Sequence, residues 1–448
     1  MSKNVDLING PIQQSLVKFA LPLTVSFVIH MVYAWVDLFF VSKLGEYEMG
    51  AVGASERIWF FIFAVGSGFA IGSSVIVSRR IGEQNYTAAK NTASQAIVGM
   101  VILGTLLSIL LFLLKDYILS ALGLVGQTKE LSKNYFNGLL IGIPFNLITF
   151  QISMIMRSTG NSIYPMQILI GSNIVNAIVT PILIFGFYFV PRLEVFGAGL
   201  GTAIAQIFSS LWAIFLLKKR FNFFVQLFDN FKFEIKELYR IIKVGFPASL
   251  QLITVSITGM GLTANANKFG VDILSTYVIG LKIDMFINMS IFAFGAAMEI
   301  ITGQNLGAGK IKRIFQYHKT AIRLLVMILL PLSISSFFFG KYIGYIFTNN
   351  EFIISHLGTY LKFLAFSNIP FAIGIISIRV ISGSGNYFQS LKIVVLMLIL
   401  LQLPLAYGLS QLLNSENGIW MSMTFSMIMF SIYGYYSMYQ RKWLKKKI

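Results

Sequence analysis

The 448-residue chain is 56% hydrophobic and only 12% charged, with a mean hydropathy of +0.75, whereas a soluble globular protein carries about 25% charged residues. This composition excludes a soluble domain and indicates an integral membrane protein. The sequence contains no cysteine, which also excludes a disulfide framework and cysteine-ligated metal or haem chemistry.

Apolar segments long enough to cross about 30 Å of hydrocarbon recur along the whole chain. The first covers roughly residues 17–42 and follows a short polar start, so we expect no cleavable signal. The others fall at roughly 56–77, 91–114, 133–156, 163–190, 196–217, 241–267, 274–302, 320–340, 358–382, 389–411 and 418–440. The sequence therefore predicts an all-α integral membrane protein with twelve transmembrane helices.

The first span contains a carboxylate, Asp37, in the stretch FALPLTVSFVIHMVYAWVDLFFV. A charge in the bilayer costs at least ~2.5–3.5 kcal/mol on insertion scales, and ionisable residues there mark ion or substrate pathways. His30 and Tyr33 precede Asp37 by seven and four residues, so the three share one helix face. We interpret Asp37 as a functional group; a structural hydrogen bond or an ion pair is the alternative.

Polar stripes also run along three further spans of the first half. They consist of Asn146, Thr149 and Ser153 on the fourth span, Asn173, Asn176 and Thr180 on the fifth, and Thr202, Gln206 and Ser209 on the sixth. Polar groups in a bilayer need partners. We therefore expect these stripes to converge inside the N-terminal half.

The chain is an internal repeat of six spans. Pro22 and Pro247, Tyr135 and Tyr360, and Gly160 and Gly385 are pairs at an offset of 225 residues. The polar stretch 218–240 separates the halves, and we favour a linker with a short surface helix over an amphipathic interfacial helix. We predict an N-terminal lobe, residues 1–225, with the cation and substrate site, and a C-terminal lobe, residues 226–448. An even number of spans in each half makes the repeat parallel, with a pseudo-twofold axis along the membrane normal, as in secondary transporters.

Lysine and arginine residues set the predicted orientation, because basic loops stay cytoplasmic. Cytoplasmic termini place 25 of the 35 Lys and Arg residues on the inner side. The net charge of +18 is thus topological, and no nucleic-acid partner is expected. The basic tail at residues 445–447 is an additional candidate for contact with anionic lipid.

The order of short motifs carries a family resemblance. The opening LPLTVSFVIHMVYAWVDLFFVSKLG, the loops RRIGEQN and GQNLGAGK, and RSTGNS and SGSGN after spans four and ten together resemble the multidrug and toxic compound extrusion (MATE) transporters. The single acid of the first span makes the chain most similar to the prokaryotic DinF-type branch. The resemblance implies a monomeric, two-lobed antiporter in the inner (plasma) membrane, which needs no cofactor and exports amphipathic cationic or aromatic compounds in exchange for H+ or Na+.

The resemblance also implies the site. The family positions for cation coupling are Asp37, Asn176, Thr180 and Thr202. Position 180 would be a second Asp in relatives with a well-formed Na+ site, and Thr there removes a carboxylate. This difference from the family pattern favours H+ as the coupling ion, because an isolated buried Asp readily gains a proton. Na+ bound by these four residues remains the alternative.

The remaining polar residues of these faces are assigned to the substrate cavity, and Pro22 to bending of the first helix. The predicted cavity residues are His30, Tyr33, Asn146, Thr149, Ser153, Asn173 and Gln206. In the second half, Leu262, Ile399 and Leu403 stand opposite Asp37, Asn176 and Thr180. We therefore expect the cation chemistry in the N-terminal half.

Two acidic residues of span eight, Asp284 and Glu299, can each be interpreted in two ways. Lys282 and Asp284 are two residues apart and do not face each other on a helix, which favours an outer-rim pair with other partners over a second ion site. Glu299 is either an ordinary interface residue or a latch to Lys310.

Three other functions are weighed against transport of drugs. A flippase for lipid-linked oligosaccharides or lipids is the main alternative, but it would line its cavity with several Arg or Lys to hold pyrophosphate. A membrane enzyme would need a catalytic set, and the three His residues stand at unrelated positions. A channel would need rings of selectivity groups.

Overall fold

The computed structural model describes residues 4–221 and 231–445, with the backbone alone for Ala34 and Lys445. The helices are α1 Ile12–Ser42, α2 Glu46–Gly82, α3 Tyr86–Ala121, α4 Gly126–Leu139, α5 Gly142–Ser158, α6 Ile163–Phe185, α7 Glu194–Arg220, α8 Ile235–Asn267, α9 Val271–Gly307, α10 Ile311–Gly344, α11 Glu351–Gly383, α12 Tyr387–Val394, a π-helix Val395–Gln402, α13 Leu403–Leu412, α14 Asn417–Tyr439 and a 3₁₀ turn Lys442–Lys445. Residues 222–230 of the predicted linker and residues 446–448 of the basic tail lie outside the described residues.

Ten helical segments of the described chain are long and apolar enough to cross a membrane, and the bent pair α4–α5 makes an eleventh. This pair is the predicted fourth span, and its two helices meet at 54°. Pro144 lies in the first turn of α5, where a proline is tolerated because its missing N–H has no partner in the helix. The remaining helix of spanning length is α14, with 23 residues.

The predicted eleventh span contains a stretch of wide helix. Tyr387–Leu412 forms one span-length segment, with the π-helix Val395–Gln402 in its middle. Pro404 follows the π-helix and removes the N–H that an α-helix would direct to the carbonyl of Leu400. The widening is thus local to a proline that the sequence places inside the span.

The helices form two compact units. In unit 1, α7 packs against α4, α5 and α6, and α3 packs against α2 and α5. Glycine allows α4 and α7 to touch: a Cβ on Gly199 would lie 2.2 Å from the carbonyl oxygen of Tyr135, and one on Gly138 would lie 2.5 Å from that of Phe196. Small residues at such contacts let membrane helices approach closely.

In unit 2, α11 packs against α9, α10 and α14. A buried ion pair joins two of these helices, with Arg379 Nη1 3.0 Å from Glu299 Oε2, and the Tyr387 hydroxyl donates to the other Glu299 oxygen. A latch from Glu299 to Lys310 is therefore wrong. The Lys310 ammonium instead donates to the carbonyl of Ile8, at 3.4 Å.

Two helices are shared between the units. Unit 1 contains Val25–Ser249 and unit 2 contains Asp6–Thr24 and Leu250–Ile448, so α1 and α8 each begin in one unit and end in the other. The change occurs two residues after Pro22 in α1 and two residues after Pro247 in α8. Each of the two helices thus has a proline at the point where its packing partners change.

The start of α8 is held in unit 1 by a buried acid. Glu237, only 5% exposed, pairs with Arg80 at 2.7 Å and with Arg240 at 2.8 Å, and it accepts a hydrogen bond from the Thr92 hydroxyl at 2.7 Å. The charge is therefore fully paired, which a buried carboxylate requires.

The segment before α1 is held in unit 2 from the corresponding positions of the repeat. Asn305 and Tyr317, which lie 225 residues after Arg80 and Thr92, both donate to the carbonyl of Leu7, at 3.0 and 3.2 Å. In each half, the same two positions thus hold the segment that leads into the shared helix.

Candidate functional site

Residues that the sequence predicts for cation coupling and for the substrate cavity meet around Asn176 of α6. Its amide nitrogen donates to the Tyr33 hydroxyl at 3.0 Å and to Thr202 Oγ1 at 3.4 Å, and the side chain is fully buried. Tyr33 lies on α1 and Thr202 on α7. One amide therefore joins the three helices that the sequence assigns to the site.

Asp37 lies one helical turn after Tyr33, on the same face of α1. Its carboxylate interacts with Asn176 and Tyr33, while its Oδ1 atom is buried without a hydrogen-bond partner. The ion pairs of the described residues do not include Asp37. The alternative of a structural ion pair is thus not supported.

Thr180 completes the predicted group from one turn beyond Asn176. It is 1% exposed, and its hydroxyl oxygen is buried without a partner, like Asn176 Oδ1. The side chain lies against α7 where Gly201 leaves room for it, since a Cβ at Gly201 would lie 2.5 Å from Thr180 Oγ1. The carboxylate oxygen of Asp37, the amide oxygen of Asn176 and the hydroxyl oxygen of Thr180 are thus all buried acceptors without a hydrogen-bond partner.

The polar stripes extend this group along α5, α6 and α7. Thr149 and Ser209 share a hydrogen bond of 3.1 Å between their hydroxyls, and the Asn173 amide donates to the carbonyl of Ile29 on α1 at 3.4 Å. Gln206 is buried with its Oε1 unpaired. Four helices of unit 1 thus turn their polar faces towards one another, as the sequence predicts.

Three predicted cavity residues have less defined roles. Ser153 is buried, Asn146 is half-buried, and His30 is exposed on α1. Within the described part of the chain, no hydrogen bond connects them to Asp37 or Asn176. The structure therefore places them on the expected helices without joining them to the cluster.

Two residues near the site were not predicted as members. Glu56 of α2 and Tyr135 of α4 both lie close enough to act electrostatically on Asp37 or to be acted on by it. In the sequence, Glu56 stands beside Arg57 at the start of the second apolar segment, a pattern that indicates a pair at the outer surface. The available signal for Tyr135 was its repeat partner Tyr360, since a tyrosine retained in both halves indicates a shared role.

The arrangement can exchange a small cation but has no metal cluster. Among the described residues, no group of three or more His, Cys, Asp or Glu side chains comes together to hold a metal ion. A single carboxylate with amide and hydroxyl oxygens can take up a proton, which turns the acceptor-only carboxylate into a hydrogen-bond donor. It can also surround a monovalent cation with oxygen ligands.

A family comparison identifies the fold that carries this site. The MatE family model matches residues 22–182 and again residues 247–408, which is well over half of the chain. The chain belongs to the MATE family. The second match begins at Pro247, 225 residues after the first at Pro22, so the MATE domain is present twice at the offset that the sequence predicts.

Relatives of this MATE protein cover nearly its whole length. It is 25% identical over 442 residues to the probable multidrug resistance protein YoeA of Bacillus subtilis (strain 168), covering 97% of this chain and 95% of that protein. It is 25% identical over 378 residues to the multidrug export protein MepA of Staphylococcus aureus (strain N315), covering 84% and 83%.

Solved MATE structures share the fold. An outward-facing multidrug resistance MATE family transporter of the MOP superfamily matches with a TM-score of 0.91 and 24% identity, over 100% of both chains. The predicted all-α architecture of twelve transmembrane helices in two lobes is confirmed by this match. As a MATE transporter, the protein is not an enzyme.

Proposed function

We propose that this MATE protein is a secondary active multidrug efflux antiporter, in which Asp37 couples export of amphipathic cationic or aromatic compounds to entry of H+ or Na+. The observation that carries the proposal is the Asp37 carboxylate, whose Oδ1 atom is buried without a hydrogen-bond partner and which has no cationic partner among the described residues. The oxygens of Asn176 and Thr180 on α6 are likewise buried and unpaired. The names of the relatives, which are a multidrug export protein and a probable multidrug resistance protein, support the substrate class.

The proposed coupling ion is H+, with Na+ as the alternative. Cation binding by oxygen ligands strengthens with the negative charge among them, and this cluster has one carboxylate within direct reach of Asn176. Thr180 supplies a hydroxyl where a second carboxylate would favour Na+. Glu56 of α2 lies within electrostatic reach of Asp37, so an ionised Glu56 carboxylate also attracts a cation bound at Asp37.

The proposed cycle uses α1 as the moving element. With the N-terminal cavity open to the outside, Asp37 takes up a cation, α1 bends near Pro22, and the cavity lined by Tyr33, Asn173 and Gln206 narrows and expels the drug. The transporter then opens inward, releases the cation and takes new drug from the cytoplasm or the inner leaflet. The positively charged loops support a plasma-membrane orientation with both termini in the cytoplasm.

Several finer assignments belong to the same proposal. We assign the protein to the DinF-type branch, as a monomer, with the two six-span repeats of the sequence meeting at residues 225 and 226, whereas the compact units divide after Thr24 and Ser249. The single acid on the first span supports the branch.

Export from proteoliposomes tests the coupling. Ethidium movement is measured with a proton gradient and a sodium gradient imposed separately, for the wild type, Asp37→Asn and the control Asp272→Asn, whose carboxylate is exposed at the start of α9. We expect proton-driven export in the wild type and the control, and none in Asp37→Asn. Export that survives Asp37→Asn with normal ion dependence contradicts the proposal, and no export under either gradient favours a flippase.

A further inference from the structure

Unit 2 contains an acid that the proposed cycle does not use. Asp284 lies 13 residues into the 37-residue helix α9, or about 20 Å along it, which is within the apolar part of the helix. The ion pairs of the described residues do not include it. Lys282 is exposed and points to a different side of α9. Asp284 is therefore not the outer-rim ion pair that the sequence favours.

The closest partner of Asp284 is an amide one turn further along α9. Asn288 Nδ2 donates to Asp284 Oδ1 at 2.6 Å. Asn288 is 6% exposed, and its own Oδ1 atom is buried without a partner. The hydrogen bond thus fixes the Asn288 amide beside the Asp284 carboxylate, and the Oδ1 atom of that amide remains free to accept.

A tyrosine of α11 adds a third oxygen. Tyr360 is 2% exposed, its hydroxyl has no hydrogen-bond partner, and it lies within electrostatic reach of Asp284. Gly280, one turn before Asp284, makes this approach possible, because a Cβ there would lie 2.5 Å from the Tyr360 ring. Substitution of the glycine would therefore displace the tyrosine.

Aromatic packing holds the tyrosine in place. The Tyr360 ring meets the Trp420 ring edge-on, with 4.9 Å between the centroids. Tyr277 stacks on Trp420 at 5.7 Å and meets Tyr360 edge-on at 6.4 Å. Tyr277 also lies within electrostatic reach of Asp284. The Tyr360 ring is thus held by two aromatic neighbours.

Leaving buried oxygen atoms unpaired is costly, and so is leaving a carboxylate in the membrane without a counter-charge. A monovalent cation removes both costs. A proton on Asp284 provides a donor to a neighbouring oxygen, and Na+ accepts all three oxygens as ligands. One carboxylate does not balance a divalent ion, which argues against Ca2+ or Mg2+.

The internal repeat relates this group to the site of unit 1. Tyr360 is the repeat partner of Tyr135, which lies within electrostatic reach of Glu56. The position equivalent to Glu56 is residue 281, one helical turn before Asp284 on the same side of α9. The comparison of α1 and α6 with their repeat partners in the second half did not reveal this acid, because Asp284 lies on α9.

We propose that Asp284, Asn288 and Tyr360 form a second binding site for a monovalent cation, H+ or Na+, within unit 2. The site goes beyond the proposed function, which places coupling at Asp37 alone. The binding measurements that test it do not depend on transport, so failure of one proposal is distinguishable from failure of the other.

Cation binding to the purified full-length protein tests the site. Equilibrium binding of radioactive Na+ at alkaline pH is compared with infrared difference spectra between acid and alkaline pH, which report protonated carboxyl groups. The variants are Asp284→Asn, Asp37→Asn and the exposed control Asp272→Asn. We expect Asp284→Asn to remove one bound Na+ or one titrating carboxyl band, and Asp37→Asn to remove a different one. The control should remove no bound Na+ and only the band of an exposed carboxyl group that titrates near pH 4.

Two further variants keep the test valid if Asp284→Asn does not fold. Tyr360→Phe and Asn288→Ala retain the carboxylate and remove one oxygen each, and we expect each to shift the Na+ affinity or the carboxyl titration midpoint by about tenfold, the effect of one lost hydrogen bond. Asp284→Glu should retain the signal. If none of these variants changes a Na+ or carboxyl signal, Asp284 has only a structural role and the proposal is wrong.

Discussion

At the scale of single residues, the candidate site of unit 1 is marked by buried oxygen atoms of Asp37, Asn176 and Thr180 that have no hydrogen-bond partner. Asp37, Asn176 and Thr180 were predictable because a buried carboxylate is costly and because polar residues spaced by three and four share a helix face. Tyr135 and Glu56 were not, because which residues of α2 and α4 approach α1 depends on tertiary packing. For the same reason, the sequence did not predict which residues surround Asp284.

The residue at position 180 is expected to set the choice of ion. Thr180→Asp adds a carboxylate one turn from Asn176, which gives Na+ a second negative ligand. We expect the variant to bind Na+ about tenfold or more tightly than the wild type, since close charges interact by one to several kcal/mol, and to gain Na+-driven ethidium export. The isosteric control Thr180→Val should lose export without gaining Na+ dependence. Equal Na+ affinity in Thr180→Asp and the wild type would place residue 180 outside the site.

The glycine beside Thr180 is expected to be sensitive to size. A Cβ on Gly201 would lie 2.5 Å from Thr180 Oγ1 and 2.7 Å from Thr180 Cα, and overpacking of this kind costs about 1–3 kcal/mol. Gly201→Ala should therefore lower the melting temperature in detergent and weaken export. Gly53→Ala on α2, where nothing lies within 4 Å, is the matched control and should melt like the wild type. Equal melting of both variants contradicts the close approach of α6 and α7.

At the scale of helices, proline positions explain where the sequence-based segments and the observed helices differ. The predicted span at residues 133–156 is a bent pair, and the span at 389–411 contains a π-helix. Hydropathy detects the length and apolar character of a span but not its internal hydrogen-bond pattern. Pro144 and Pro404 were visible in the sequence, whereas the form of the resulting break follows from packing.

The buried ion pair between α9 and α11 is expected to stabilise unit 2. Arg379→Leu leaves Glu299, 5% exposed in the pair, as an unpaired buried charge, which costs about 3–5 kcal/mol. We expect a large fall in melting temperature, with recovery in the double variant Glu299→Leu/Arg379→Leu. The control Arg192→Leu breaks a pair that is more than half exposed on both sides and should change melting little. A small effect in Arg379→Leu would show that Glu299 finds another partner.

Pro22, which lies where the packing partners of α1 change, is expected to affect transport but not folding. Pro22→Ala restores a backbone N–H and stiffens the helix. We expect slower ethidium export from proteoliposomes with a normal yield of folded protein. Pro331→Ala, which changes an exposed proline inside α10, is the control and should export at the normal rate. Unchanged export in Pro22→Ala would remove bending of α1 from the cycle.

At the scale of the whole molecule, the repeat was the most predictable feature. Gly160 and Gly385, at one offset, both adopt left-handed backbone conformations, with φ of 85° and 89°, which explains why glycine stands at both positions. The exchange of helix segments was not predictable, because a repeat offset gives equivalent positions without giving packing partners. Both units are therefore built from residues of both halves of the chain.

The sharing of α1 and α8 has a consequence for biosynthesis. When the ribosome has completed Arg220, the nascent chain still lacks the Ile235–Ser249 portion of unit 1, including Gly245, whose Cβ would lie 2.1 Å from the carbonyl oxygen of Gly68. Unit 1 therefore cannot reach its final packing until about residue 249 has left the translocon. An N-terminal fragment that ends at Ser249 contains every segment of unit 1, whereas one that ends at the linker does not.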